Sequence, residues 1–248
     1  SGAETVLTLG AQYTLEGYTN NVNAGTATVT VKGMGDYAGA KAVTFAIAPA
    51  PLSSATIAPV PDQVYTEVDG APAAQEPKPV VTFGTPGITL VAGTDFDLSY
   101  ADNYAVNETG DPQPTITLTG KGNFTGSATA TFNIVAAEEG MIRITGVTAP
   151  DAAYTGSAVR PAATVTAEVY TRHEADADHA EPWYTWEPFT PVLDTHYTLA
   201  YGNNVNVGTA TVAAQAKAAA AETDPQVVGS ADGTFQITPA NAAAATVA

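Results

Sequence analysis

The chain is 248 residues long and 45% hydrophobic, yet only 13% of it is charged, about half the share of an average globular domain. Asp and Glu number 25 against 8 Lys and Arg, a net charge of -17; such a surface repels phosphate backbones and anionic head groups, which argues against nucleic-acid or membrane-surface binding. Cysteine is absent, so neither a disulfide framework nor a thiolate metal site can form.

Thr, Ala, Gly, Asn and Pro stand where charges are missing, a mixture that favours strands and turns. That composition is compatible with an exported bacterial protein. The sequence contains no signal peptide, no apolar run long enough to span a bilayer and no lipidation motif. Ser1-Gly2-Ala3 reads as the cut end of a longer protein.

An internal repeat organises the chain. Asn20-Asn21-Val22-Asn23-Ala24-Gly25-Thr26-Ala27-Thr28-Val29 returns almost unchanged as Asn203-Asn204-Val205-Asn206-Val207-Gly208-Thr209-Ala210-Thr211-Val212. The likeness extends upstream, through Gln12-Tyr13-Thr14-Leu15 and His196-Tyr197-Thr198-Leu199, and downstream to Thr44-Phe45-Ala46-Ile47 and Thr234-Phe235-Gln236-Ile237. A more divergent copy lies between them, in Phe96-Asp97-Leu98-Ser99-Tyr100, Gly120-Lys121-Gly122-Asn123-Phe124-Thr125-Gly126 and Thr131-Phe132-Asn133-Ile134.

Residues 1–48 hold only the later part of a repeat. Strands are predicted at 6–9, 13–18, 27–31 and 42–47, with Ala27, Val29 and Val31 on one face and Thr28 and Thr30 on the other. Asn20 to Gly25 and Gly33 to Gly39 are turns. A set this small is marginal alone, so the missing strands were either cut away or come from another segment or chain.

The second unit spans 49–137, with strands at Tyr65 and at 79–83 and a surface loop over 67–77. The Phe96–Phe124 spacing of 28 exceeds the Tyr13–Tyr37 spacing of 24 by four, an insertion that maps to a loop. The third unit spans 138–240 and opens with strands at 142–145 and 163–170. It carries an insertion at 171–191 that neither other copy has. Residues 216–221, rich in Ala, read as a loop expansion with the content for one helical turn. Residues 241–248 are a linker.

The order Tyr154-Thr155-Gly156, Val159-x-Pro161, His196 to Tyr201, Asn203 to Ala210 and Phe235-Gln236-Ile237 resembles the Ig-like (MBG-like) repeats of large bacterial cell-surface proteins. Gly120-Lys121-Gly122-Asn123-Phe124-Thr125-Gly126 is similar to their glycine turn. The resemblance covers most of residues 9–48 and both later units outside their insertions. It implies tandem Ig-like β-sandwich modules in a stalk or adhesin on a bacterial envelope. Short strands and turns leave a β-grasp-like arrangement as the alternative within the all-β class.

The chemistry-bearing residues concentrate in the insertion. Trp183, Tyr184, Trp186 and Phe189 form the candidate ligand contact, since exposed aromatic faces stack on sugar rings and protein partners. The competing reading is a long hairpin whose aromatics pack on its own unit or on the next. His173, Asp176, Asp178 and His179 carry donor atoms suited to a cation, but their spacing matches no characterised site. Asp95 and Asp97 share a strand face, which raises a glycosidase pair; solvated positions are the alternative. No nucleophile elbow or phosphate-binding glycine loop is present. Lys121 and Lys41 are candidates for a Lys–Asn cross-link without an identifiable partner, and Asn107 and Asn123 sit in glycosylation sequons.

These features lead to an expectation of a monomeric, non-enzymatic, cofactor-free and metal-free spacer. It would sit outside the cell, at the bacterial surface or wall, beside neighbouring domains of the same parent protein. The alternatives are an adhesin that binds a host glycan or protein through 171–191, and an assembly subunit completed by a strand from another chain.

Overall fold

A computed structural model describes residues 5–85, 87–218 and 225–241. Over these residues the protein is all-β, and every regular element apart from one three-residue 3₁₀ turn is a strand.

Unit 1 consists of β1 (Tyr13–Thr19), β2 (Gly25–Gly33) and β3 (Ala40–Ile47), an antiparallel sheet in that order. The pleat sends alternate side chains to opposite faces. Its register aligns Leu15 with Val31, Tyr18 with Val29, and Phe45 with Ala27, which gathers the apolar residues on one face and the threonines on the other. An irregularity between Leu15 and Gly17 lets Leu15 and Tyr18, three residues apart, share that face. The strand expected at 6–9 does not form. Leu9 makes an isolated bridge to Tyr13, and Val6 is 91% exposed, because no neighbouring strand among the described residues offers its backbone a ladder.

Unit 2 runs through β4 (Ala50–Pro51), the 3₁₀ turn (Leu52–Ser54), β5 (Thr56–Ile57), β6 (Gln63–Val64), β7 (Glu67–Val68), β8 (Ala71–Pro72), β9 (Val81–Phe83) and β10 (Ile88–Leu90). It continues with β11 (Phe96–Ala101), β12 (Thr115–Gly120), β13 (Phe124–Thr125), β14 (Ser127–Thr131) and β15 (Ile134–Val135). The sheet β10-β9-β5 faces the sheet β11-β12-β14. Leu52, Val81 and Leu90 meet Phe96, Ile116, Leu118, Phe132 and Ile134 in one core. Between 67 and 77 the expected loop contains a small hairpin, β7 to β8. It turns on Asp69 and Gly70, both at positive φ (52° and 75°), the dipeptide that suits a two-residue hairpin turn.

Unit 3 contains β16 (Ile142–Thr148), β17 (Ala152–Ala153), β18 (Thr164–His173), β19 (Trp183–Phe189), β20 (Tyr197–Gly202), β21 (Gly208–Ala216), β22 (Val227–Val228) and β23 (Ser230–Thr238). Its sheets β19-β18-β16-β22 and β17-β23-β21-β20 enclose Ile142, Ile144, Val147, Val165, Tyr197 and Val212. The second half of the helical turn considered at 216–221 lies outside the described residues; Ala216 itself ends β21, and residues 217 and 218 have no regular structure. Most of the 241–248 linker also lies outside them.

The repeat recurs in the backbone down to single bonds. Leu9, Ala92 and Leu193 bridge Tyr13, Phe96 and Tyr197 in the same way. The N–H groups of Thr8, Val91 and Val192 are capped four residues on by Gln12 Oε1, Asp95 Oδ2 and His196 Nδ1, at 2.7, 2.8 and 2.8 Å. Asn20, Asp102 and Asn203 occupy one turn position at φ of 54°, 56° and 51°, the left-handed region that Asn and Asp tolerate best. What differs is the cover. Phe45 is 40% exposed, whereas its equivalents Phe132 and Phe235 are 3% and 2% exposed.

Candidate functional site

The insertion at 171–191 forms a hairpin arm, in which β18 extends past the sandwich and β19 returns along it from His173↔Trp183 to Ala167↔Phe189. The period of two puts Trp183 and Trp186 on opposite faces. Trp183, Thr185 and Phe189 continue the core-facing side, and Phe189 packs on the unit 3 core. Tyr184 and Trp186 lie on the outer side with Tyr170.

The outer side is a ladder of rings. Tyr170 stacks on Tyr184 with centroids 5.3 Å apart and meets Trp186 at 4.9 Å. The Arg143 guanidinium lies 4.1 Å from the centroid of the Trp186 ring, a cation–π contact, and is held there by Glu168 through bonds of 2.8 and 2.6 Å. Tyr170 and Trp186, together with Val135, then pack against Val64, Met141 and Val228. Val64 and Val135 belong to unit 2 and Val228 to unit 3, so Trp186 serves the junction between units. Tyr184 remains exposed.

On the inner side the half-buried Trp183 is stacked with two imidazoles. His173 and His179 both stack on it, with centroids 4.2 and 4.5 Å away. His173 Nε2 meets Thr185 Oγ1 at 2.7 Å, and the Thr185 hydroxyl donates to Glu187 at 2.8 Å. Asp176 Oδ1 accepts the N–H groups of Asp178 and His179, both at 2.9 Å. Those backbone donors, followed by the His179 side chain, hold the Asp176 carboxyl below the usual carboxylate range. The indole N–H of Trp183 is buried without a partner, at a cost of about 1–3 kcal/mol. No group of three or more His, Asp or Glu able to hold a metal ion occurs among the described residues.

Most of the remaining candidates have a structural task. Asp95 caps its turn, while Asp97 pairs with Lys121 at 3.2 Å in solvent. Lys41 lies exposed on β3. Asn107 Oδ1 accepts the Ile134 N–H at 2.6 Å, and Asn123 Oδ1 accepts the Ala24 N–H at 2.7 Å, a link between units 1 and 2.

Two groups of residues were not singled out by the sequence. The first is a fastener repeated at Tyr-x-x-Asn spacing. Tyr100 and Tyr201 donate to the carbonyls of Pro77 and Pro161 at 3.1 and 2.7 Å, and Asn103 and Asn204 donate to those of Gln75 and Val159, both at 2.9 Å. Unit 1 has the same spacing in Tyr18 and Asn21, but neither makes such a bond, and Tyr18 is 50% exposed. The second group forms the junction between units 2 and 3. Lys78 pairs with Asp232 at 3.6 Å, and Gln215 donates to the Lys78 carbonyl at 3.3 Å. Desolvation raises the Asp232 carboxyl above its usual range, with Lys78 opposing. A side chain at Gly202 would bring its Cβ to 2.9 Å from Val91 of unit 2 and 2.7 Å from Thr211, so glycine permits the close approach of the units. Comparison of the chain with known family models, curated proteins and solved structures finds no match.

Proposed function

We propose that the chain is a non-enzymatic spacer of a bacterial surface protein, built from tandem Ig-like modules, that holds a functional domain away from the envelope. The observation that carries this reading is the use made of the aromatic arm. Trp186 is committed to the junction between units 2 and 3, while Trp183 lies on the opposite face of β19 and stacks with His173 and His179, so the two rings do not form a common platform for a sugar. Short connections point the same way: two residues separate β3 from β4, and six separate β15 from β16, which limits bending between units. The expected result is a monomer that shows no saturable binding to a glycan array or to mucin. Saturable binding that is abolished by Trp183→Ala/Trp186→Ala would replace the spacer with an adhesin.

The uncovered sheet of unit 1 favours a second reading, an assembly subunit. Its apolar face and its unused Tyr18 and Asn21 match the positions that units 2 and 3 close with their own front segments, and a segment added from another chain would satisfy them.

A further inference from the structure

The two complete units close on themselves in the same way, with strands that run parallel. In unit 2, β4 pairs with β13 through Ala50↔Phe124, and β6 pairs with β15 through Gln63↔Ile134. In unit 3, β16 pairs with β22 through Ile142↔Val227, and β17 pairs with β23 through Ala152↔Ile237. Each pair ties the part of the chain entering a unit to the part leaving it. The clasps include Gln63 N–H to Asn133 O and Tyr65 N–H to Val135 O, both 2.8 Å, in unit 2. In unit 3 they include Ile142 N–H to Gln226 O at 2.9 Å and Tyr154 N–H to Thr238 O at 2.8 Å.

Parallel pairing has a mechanical meaning. Antiparallel entering and leaving strands present their bonds to a pull at the two chain ends one at a time, like a zipper. Parallel strands are slid along each other by the same pull, and their evenly spaced bonds resist together.

Asp62 connects the two clasps. Its Oδ1 accepts from Asn133 Nδ2 at 2.9 Å, its Oδ2 from Gln226 Nε2 at 3.3 Å, and its carbonyl from the Gly229 N–H at 2.7 Å. Asn133 and Gln226 are the residues whose carbonyls receive clasp bonds in units 2 and 3. A half-buried carboxylate that accepts on both oxygens makes charge-assisted, stronger bonds.

We propose that units 2 and 3 form a tension-bearing segment, in which the parallel clasps take axial load in shear and Asp62 braces the clasp of one unit against that of the next. The proposal rests on the spacer reading, since a spacer between an anchor and an engaged head is pulled along its length.

Single-molecule force measurements on the whole chain test it, and the absence of native cysteine makes engineered attachment points unique. Pulling between the two termini loads the clasps in shear. Pulling between Ser157→Cys, an exposed position just beyond β17, and the C-terminus peels β17 from β23. At equal force, unit 3 is expected to unfold about tenfold faster or more in the peeling direction, since bonds that shear would break together then yield singly. Asp62→Ala, pulled end to end, is expected to speed unfolding of both units about fivefold and to leave the peeling rate unchanged. Equal rates in the two directions would overturn the clasp. If the chain is then still a ligand-free monomer, the spacer reading stands without it. A directional difference in a chain that binds glycan saturably upholds the clasp and removes the spacer.

Discussion

Asn204 and Asn21 carry the same letter in the same repeat and do different work. Asn204 is buried and donates to the Val159 carbonyl, 45 residues away in sequence, while Asn21 has no such carbonyl to meet. Asn204→Ala is therefore expected to destabilise unit 3 by about 1–3 kcal/mol, because it leaves the Val159 carbonyl without that donor. Asn21→Ala should fall within about 0.5 kcal/mol of the parent; urea unfolding of both variants checks the contrast. The turn itself was legible from sequence, since Asn-Asn before Gly signals positive φ and Asn20 and Asn203 adopt it. The fastening was not, because a side chain's acceptor across the unit leaves no mark in local spacing. Its one trace is the threefold Tyr-x-x-Asn, which becomes informative once the three turns are aligned.

The hairpin arm shows how far a strand pattern alone carries. Period-two logic separates Trp183 from Trp186 correctly once the segment is known to be a strand, but it does not say which face meets a neighbouring unit. That depends on Val64 and Val228, far away in sequence. Trp186→Ala is expected to cost about 2–3 kcal/mol, below the value for a full core aromatic because the ring is only half-buried, and to loosen units 2 and 3 together. Trp183→Ala should cost about 1 kcal/mol, since losing the two imidazole stacks is offset by removing a buried, unpaired N–H. Chemical denaturation followed by a probe in unit 2 separates the two, because only the Trp186 change should reach it. The β7–β8 hairpin is a smaller lesson. Its Asp69-Gly70 turn signal lay in plain view within a stretch whose Pro and Ala content argues for a loop.

Across the whole molecule, the all-β class and the three-fold repeat follow from sequence. Pairing between distant strands, such as β4 with β13 and β17 with β23, does not, since two-residue strands carry no periodicity. The uncovered face of unit 1 gives a prediction at this scale. If strands from a second copy complete it, the chain will associate with rising concentration, and Val43→Lys/Phe45→Lys will abolish that association while units 2 and 3 unfold as before. Sedimentation velocity distinguishes this from the concentration-independent monomer of the spacer reading. Position 43 also constrains the partner. Its equivalent Gly233 would place a Cβ 2.6 Å from the Val147 carbonyl, so whatever covers Val43 must pass further from the sheet than β16 does in unit 3. The turn cap filled by Gln12, Asp95 and His196 has a longer reach. An amide, a carboxylate and an imidazole all accept the same backbone N–H there, so the position demands only a lone pair at the right distance. A module built on such tolerant positions is free to drift in spelling while its shape stays put, and kinship among its descendants is then recorded in hydrogen bonds long after it has faded from the letters.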